Sequence, residues 1–351
     1  MESKQGPNTI TRLVELGGQS SSENLSASYF NVHGVITKLV TDTDVVKDAV
    51  SSLLDAFSSQ ESLAHDIEIN LFTVNALKND FTDIPVDAST LYDWDKVKIY
   101  SHGSNRYLTI DQNAFVAADV HHCILAGFIE KDCLESDWVI SHMIFYPLWC
   151  QLMKEKGLYP LHAAGLVKDS RSILLPGRSG SGKSTLSLQL VRDGYGLLSD
   201  DTVFLKKSGC MIEAMSFPEE INVKERTFEL IPELRNIKNL TVNKLRQKSS
   251  FQIDELYPDS FVDSAIPSLI IFPQISDSNE TTLQPVSRTE ALTMVMCFAL
   301  FFLDPSTTSK HFEMLSQLVK QAPCYNLSAA SDSDKMLPTI NNLFSDITST
   351  K

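Results

Sequence analysis

The chain has 351 residues, 43% of them hydrophobic and 21% charged, which is the balance of a folded globular protein and excludes wholesale disorder, a collagen-like fibre and a small disulfide scaffold. The length suggests two domains, with a single large α/β unit as the alternative. Thirty Lys and Arg against 44 Asp and Glu give a formal net charge of −14, so the surface repels phosphate backbones and anionic lipid; neither nucleic acid nor a membrane is an expected partner.

Residues 1–27 are polar, rich in Ser, Asn and Gln, and are expected to form a disordered tail. Tyr29–Leu39 is apolar and β-branched and predicts a strand. Asp44–Phe57 places Val45, Val46, Ala49, Val50, Leu53 and Leu54 on one helical face, behind an Asp or Thr cap. Ile67–Val74 alternates as a strand. Val97–Tyr100, Arg106–Ile110 and Ala114–Val120 read as a meander broken by Gly103-Ser104-Asn105 and Asp111-Gln112-Asn113, with Cys123–Ile129 as one more strand. Residues 28–133 are thus expected to form a smaller, β-rich α+β N-terminal domain. His121-His122-Cys123 is a poor metal set, because neighbouring strand residues point to opposite faces.

Asp137–Glu155 suits a buried helix and opens a second domain expected to cover 134–351. There Ser172–Leu175, Gly196–Leu198, Thr202–Leu205, Leu269–Phe272 and Cys324–Leu327 read as strands. Ser184–Arg192, Phe312–Lys320 and Met336–Phe344 read as helices. Ala291–Leu303 is too short to cross a bilayer as a helix and reads as a buried core helix. The N-terminus carries no signal-type apolar run, and the six cysteines form no C-x-x-C pair. A cytoplasmic protein with reduced, mostly core-filling thiols is expected. Whether it forms a homo-oligomer is open.

The most informative segment is Gly177-Arg178-Ser179-Gly180-Ser181-Gly182-Lys183-Ser184-Thr185, which fits G-x-x-x-x-G-K-[ST] between a strand and a helix. Glycines let backbone N–H groups approach a polyphosphate, and the helix adds its positive N-terminal end. Gly177, Ser179, Gly180, Ser181, Gly182, Lys183, Ser184 and Thr185 are therefore candidate ATP-binding residues. Lys183 would reach the β- and γ-phosphates, and the Ser184 hydroxyl would bind Mg²⁺. Arg178 has a weak role, since the backbone cradles the phosphates. One helix beyond the loop, Gly196-Leu197-Leu198-Ser199 leads into Asp200-Asp201. Of two such carboxylates, one can take a proton from an attacking hydroxyl and the other can hold Mg²⁺. No L-S-G-G-Q follows the loop and no N-K-x-D occurs, which argues against an ABC-type ATPase and a GTPase.

These segments resemble HPr kinase/phosphorylase and its relatives, which share a fold with phosphoenolpyruvate carboxykinase. The loop is similar to that family's G-x-S-G-x-G-K-S. Asp200 follows Lys183 by 17 positions and His162 precedes Gly177 by 15, as in the family. The firm match covers about residues 158–207. The resemblance implies an α/β P-loop kinase core and transfer of the ATP γ-phosphate to a serine hydroxyl. Asp200 would be the general base, Asp201 would assist it or bind metal, and His162 would position the acidic pair or the phosphate. The E-x-R-G-x-G segment of the bifunctional enzymes is missing, so phosphorolysis is not implied. Phe217-Pro218-Glu219-Glu220-Ile221-Asn222-Val223-Lys224 stands in its place, and Lys224 could supply positive charge to the transferred phosphate or equally be a solvated lysine on an edge strand.

The expected activity is an ATP- and Mg²⁺-dependent kinase acting on a hydroxyl, foremost a serine in a protein or peptide. A kinase for a small molecule such as free serine, and an ATP-binding regulatory module without catalysis, are the alternatives. The intact acidic pair argues against the module, which has no chemical need for both groups.

Overall fold

The computed structural model describes residues 9–20, 25–62, 64–77, 83–94, 96–243, 248–275, 281–302, 304–329 and 336–349. It is a mixed α/β protein with large mixed sheets and divides into two compact units. The first comprises Met1–Gly157 with Leu303–Thr308; the second comprises Leu158–Phe302 with Ser309–Lys351.

The first unit contains α1 (Thr9–Ser20), β1 (Ser26–Val32), β2 (Val35–Thr41), α2 (Asp44–Leu54), β3 (Ser58–Ser59), β4 (Ile67–Val74), β5 (Ser89–Trp94), β6 (Val97–His102), β7 (Asn105–Ile110), β8 (Ala114–Asp119), β9 (Ile124–Glu130) and α3 (Tyr146–Glu155). The strands form one sheet in the order β3-β1-β2-β4-β9-β8-β7-β6-β5. The meander expected from the sequence is its β6 to β9 side, each strand antiparallel to the next.

Three expectations are corrected here. Tyr29–Leu39 is not one strand but the centre of the β1–β2 hairpin, because His33 and Gly34 both take positive φ, 52° and 91°, and turn the chain back. The tail is not disordered throughout: residues 9–20 form α1, whose Ile10 and Leu13 are buried against Phe72, Phe115 and Phe128. A few apolar residues at helical spacing outweigh a polar composition once a sheet face is there to receive them. Residues 1–8 and 21–24 of that expected tail lie outside the described residues. Finally, the first unit extends to Gly157 rather than ending at 133. Helix α3 is buried along its length and its Trp149 indole donates to Thr37 of β2, 3.2 Å away.

The second unit contains β10 (Tyr159–Lys168), β11 (Arg171–Pro176), α4 (Lys183–Arg192), β12 (Gly196–Ser199), β13 (Thr202–Ser208), β14 (Met211–Met215), β15 (Ile221–Val223), α5 (Glu225–Leu230), β16 (Thr241–Asn243), β17 (Lys248–Phe251), β18 (Ser264–Ile275), β19 (Thr282–Val286), α6 (Arg288–Met296), α7 (Thr308–Gln321), β20 (Cys324–Ala329) and α8 (Met336–Ser349). Its main sheet runs β11-β10-β13-β14-β18-β20-β19, with β12 paired to β10. Because β11 also pairs with β18, in parallel, part of this path closes on itself. A smaller sheet, β15-β17-β16, stands apart.

Both faces of the main sheet are covered, which is why its strands read as unbroken apolar runs. Side chains alternate along each strand. Ile173 and Leu175 of β11 pack with Leu186 and Leu190 of α4 and with Ile340 and Phe344 of α8. Leu174, between them, packs on the other side with Val295 of α6 and Leu315 of α7. The apolar run Ala291–Leu303 is not a continuous core helix. Helix α6 stops at Met296, and the following turns bring Ala299 into a bridge with Leu161 of β10. Leu303 lies outside the described residues. The cysteines are also less buried than expected: Cys123, Cys150 and Cys324 are buried, Cys133 is half-buried, and Cys210 and Cys297 are exposed. Among the described residues no helix is long and apolar enough to cross a membrane.

Among its described residues the first unit contains one fully buried ion pair. Arg106 and Asp304 have side chains 1% and 0% exposed, joined by two hydrogen bonds of 2.6 and 3.0 Å. Asp304 also accepts from the Ser306 backbone N–H. Asp304→Ala strands a guanidinium in the core and is expected to lower the unfolding free energy by about 3–5 kcal/mol. Urea denaturation measures this; a loss below about 1 kcal/mol, the range of an exposed pair, would contradict it.

Candidate active site

The loop after β11 is held open by backbone geometry. Gly180 and Gly182 adopt φ of +86° and +97°, in the left-handed region that other residues avoid. Gly182 is the N-cap of α4, so the first helical N–H groups face the loop. Lys183, the first residue of α4, is only 5% exposed. Its ammonium donates to the Gly177 carbonyl and to His162 Nε2, the latter at 2.9 Å. Burial lowers the Lys183 pKa, while the charges of Asp201 and Asp200 hold it up and that of Lys248 depresses it.

Because His162 Nε2 accepts from an ammonium, its proton is assigned to Nδ1, which lies 3.5 Å from Asp201 Oδ1. His162 sits in β10 and pairs with Thr202 of β13, which brings it beside the acidic turn. The backbone of His162 is fixed in turn by a 2.8 Å bond to the Phe298 carbonyl.

The two carboxylates occupy different environments. Asp200 is 3% exposed, and its Oδ1 has no hydrogen-bond partner among the described residues. Burial pushes its pKa up to about 6; the Asp201 charge pushes the same way, and hydrogen bonds to Ser184 and Ser187 with the Lys183 charge pull it back. The Asp201 side chain is 56% exposed. Desolvation would raise its pKa, but the His162 hydrogen bond and the charges of Lys183 and Lys248 leave it below the usual carboxylate range.

A third carboxylate joins them. The Phe217 N–H donates to the Leu198 carbonyl at 3.1 Å, so Glu219 and Asp200, each two residues further on, are brought to the same region. Burial first, then the charges of Asp201 and Asp200, push the Glu219 pKa well above the carboxylate range. Its Oε2 is buried without a partner. The sequence shows Glu219 only as one of two adjacent glutamates; its meeting with Asp200 depends on a backbone bond from the segment after β14 to Leu198 of β12.

Beside the loop lies a cavity of ≈ 350 Å³. Ser179, Gly180, Ser181, Gly182, Lys183, Ser184 and Thr185 line it, with Asp201 and Lys224. Gly177, His162 and Asp200 are not on its wall. Thr185 and Thr227 hydroxyls meet at 3.0 Å and tie α4 to α5. The lining includes the cations Arg178, Lys183, Lys224, Arg226 and Lys248 and the apolar residues Val223, Ile275, Leu327, Ala329 and Met336. Lys248 and the apolar residues carry no motif and are not recognisable in the sequence.

The donor set fits a hard divalent cation. A buried carboxylate oxygen without a partner, beside the Ser184 hydroxyl at a helix N-terminus, is all-oxygen and anionic. Asp200 and Ser184 would hold the ion, with Asp201 nearer His162.

Because burial raises the Asp200 pKa, the folded state binds this proton more tightly than the unfolded chain does. The associated destabilisation is absent below the unfolded aspartate pKa and complete above about pH 6. In full it is worth about 3 kcal/mol. Asp200→Asn is therefore expected to raise the thermal midpoint of the ligand-free protein at pH 8 by clearly more than at pH 5. Equal shifts at the two pH values would contradict the assignment.

No family model matches the chain, and no curated protein matches it. Among solved structures, the chain is similar to the Hpr(Ser) kinase/phosphatase from Coxiella burnetii, at a TM-score of 0.29 and 15% identity, over 53% of this chain and 87% of that one. This is a weak, fold-level similarity.

Proposed function

We propose that the chain is an ATP- and Mg²⁺-dependent phosphotransferase that moves the γ-phosphate to a hydroxyl, with a serine of a protein or peptide as the favoured acceptor. The observation that carries this reading is the single cavity in which a P-loop, a buried lysine and an exposed aspartate meet. The phosphates would lie along the backbone N–H groups of 179–184, and the apolar lining residues Ile275, Leu327 and Met336 suit a purine ring.

Burial favours a division of labour between the aspartates that differs from the one the motif resemblance implies. Asp200 is closed off beside Ser184 and suits the cation; Asp201 faces the cavity and suits the acceptor. When bound, Mg²⁺ would neutralise charge on the phosphate oxygens. The acceptor hydroxyl would pass its proton to Asp201 as its oxygen bonds to the γ-phosphorus. The bond from that phosphorus to the β–γ bridging oxygen breaks, and its electron pair leaves with ADP. A weakly basic carboxylate suffices, because most of the catalysis in phosphoryl transfer is positioning and charge neutralisation. His162, donating through Nδ1, would hold Asp201 in place, and Lys183 would stabilise charge on the phosphates. A purely regulatory ATP-binding module gives no reason to bury Asp200 with an unpaired oxygen.

The test is transfer from γ-labelled ATP with Mg²⁺ to an extract of the source cells and, separately, to small hydroxyl compounds including free serine. Label on one protein or peptide is expected. Asp201→Asn should lower transfer by about 10²–10³-fold with the Mg²⁺ requirement unchanged. Asp200→Asn should raise the Mg²⁺ concentration needed for half-maximal nucleotide binding. Nucleotide binding without transfer to any acceptor would sink the phosphotransferase reading.

A further inference from the structure

We infer that Lys248 and Lys224 form a paired clamp for the terminal phosphate of a nucleoside triphosphate, supplied by the small β15-β17-β16 sheet. The inference rests on reading the cavity as a triphosphate site and adds to it the groups that would distinguish a triphosphate from a diphosphate.

The sheet register is the first ground. In the β15–β17 ladder Ile221 lies opposite Phe251, Asn222 opposite Ser250 and Val223 opposite Ser249. The ladder ends there; continued by one position, its register would set Lys224 opposite Lys248. Lys224 is still extended there, with φ −91° and ψ 163°, before α5 begins. Like charges directly across an antiparallel pair repel and destabilise the sheet. A chain with a net charge of −14 has carboxylates in plenty to separate them, yet neither lysine forms an ion pair among the described residues. An anion held between the two removes the repulsion.

The second ground is where the pair points. Both side chains line the cavity beside the P-loop. The Lys224 ammonium lies 3.3 Å from the point where a Cβ on Gly180 would sit, so it lies against the middle of the phosphate loop. Lys248 lines the same cavity as Lys183, the phosphate-binding lysine, and Asp201, the acceptor-side carboxylate. Ammonium groups there neutralise the equatorial oxygens of the γ-phosphate as charge redistributes, the work done elsewhere by an arginine supplied in cis.

The test compares a non-hydrolysable β,γ-imido ATP analogue with ADP, both with Mg²⁺, by titration calorimetry at fixed salt. Lys248→Gln and Lys224→Gln are each expected to weaken the triphosphate analogue by about tenfold or more and ADP by less than about threefold. Lys248→Arg should keep most of the discrimination, which separates charge from folding; thermal melts of each variant give the folded fraction. Equal weakening of both nucleotides would mean a general electrostatic field and overturn the clamp, as would no change in either variant. These outcomes are separable from failure of the functional reading. A wild-type protein that binds neither nucleotide overturns both. One that binds and transfers normally beside an unaffected Lys248→Gln overturns the clamp alone.

Discussion

Lys183 is a positive charge that the fold has taken out of water. An ammonium buried to this degree has to be met by acceptors and by negative potential, or it loses its proton. Three separate segments meet that demand: the Gly177 carbonyl on the loop, His162 on β10, and the charges of Asp200 and Asp201 in the turn before β13. Holding one lysine therefore constrains the order β11-β10-β13 and the pairing of His162 with Thr202. Everything else in the candidate site is arranged around this convergence.

The opposite sign of burial holds the site in tension. Asp200 and Glu219 are carboxylates with unpaired buried oxygens, and their pKa values rise in consequence. Asp201, exposed and facing His162, moves the other way. Neighbouring acids driven apart in basicity by their surroundings is how one site separates a cation-binding role from a proton-accepting one. The cations that line the cavity complete the field. A protein that is strongly acidic overall concentrates Lys183, Lys224, Arg226 and Lys248 on one cavity, which focuses potential where a polyphosphate would lie.

Much of the secondary structure was legible because it depends on local periodicity. Ile67–Val74 is a strand with those bounds, and α2 runs from Asp44 with Thr43 as its cap. The failures share a cause. The β1–β2 turn has no Gly or Pro pair to mark it, only His33 taking a left-handed conformation before Gly34. The α1 face and the early end of α6 were set by what packs against them: a phenylalanine cluster for the one and a bridge from Ala299 to Leu161 for the other. Composition and apolar run length carry no information about such partners.

By itself the sequence determined that a Gly-rich loop between a strand and a helix carries Lys183 and Ser184, and that two aspartates follow one helix later. These features are local, and the backbone geometry of a phosphate loop leaves few other residue choices. Only the tertiary structure decided which aspartate is closed off and which faces the cavity, since adjacent residues at a strand end differ in burial through their neighbours alone. It also brought Glu219 to the acids through the Phe217–Leu198 bond and Lys248 to the loop through the register of β15 with β17. Hydrogen-bond ladders join residues far apart in the chain, and a shift of one position would turn each of these side chains to the other face.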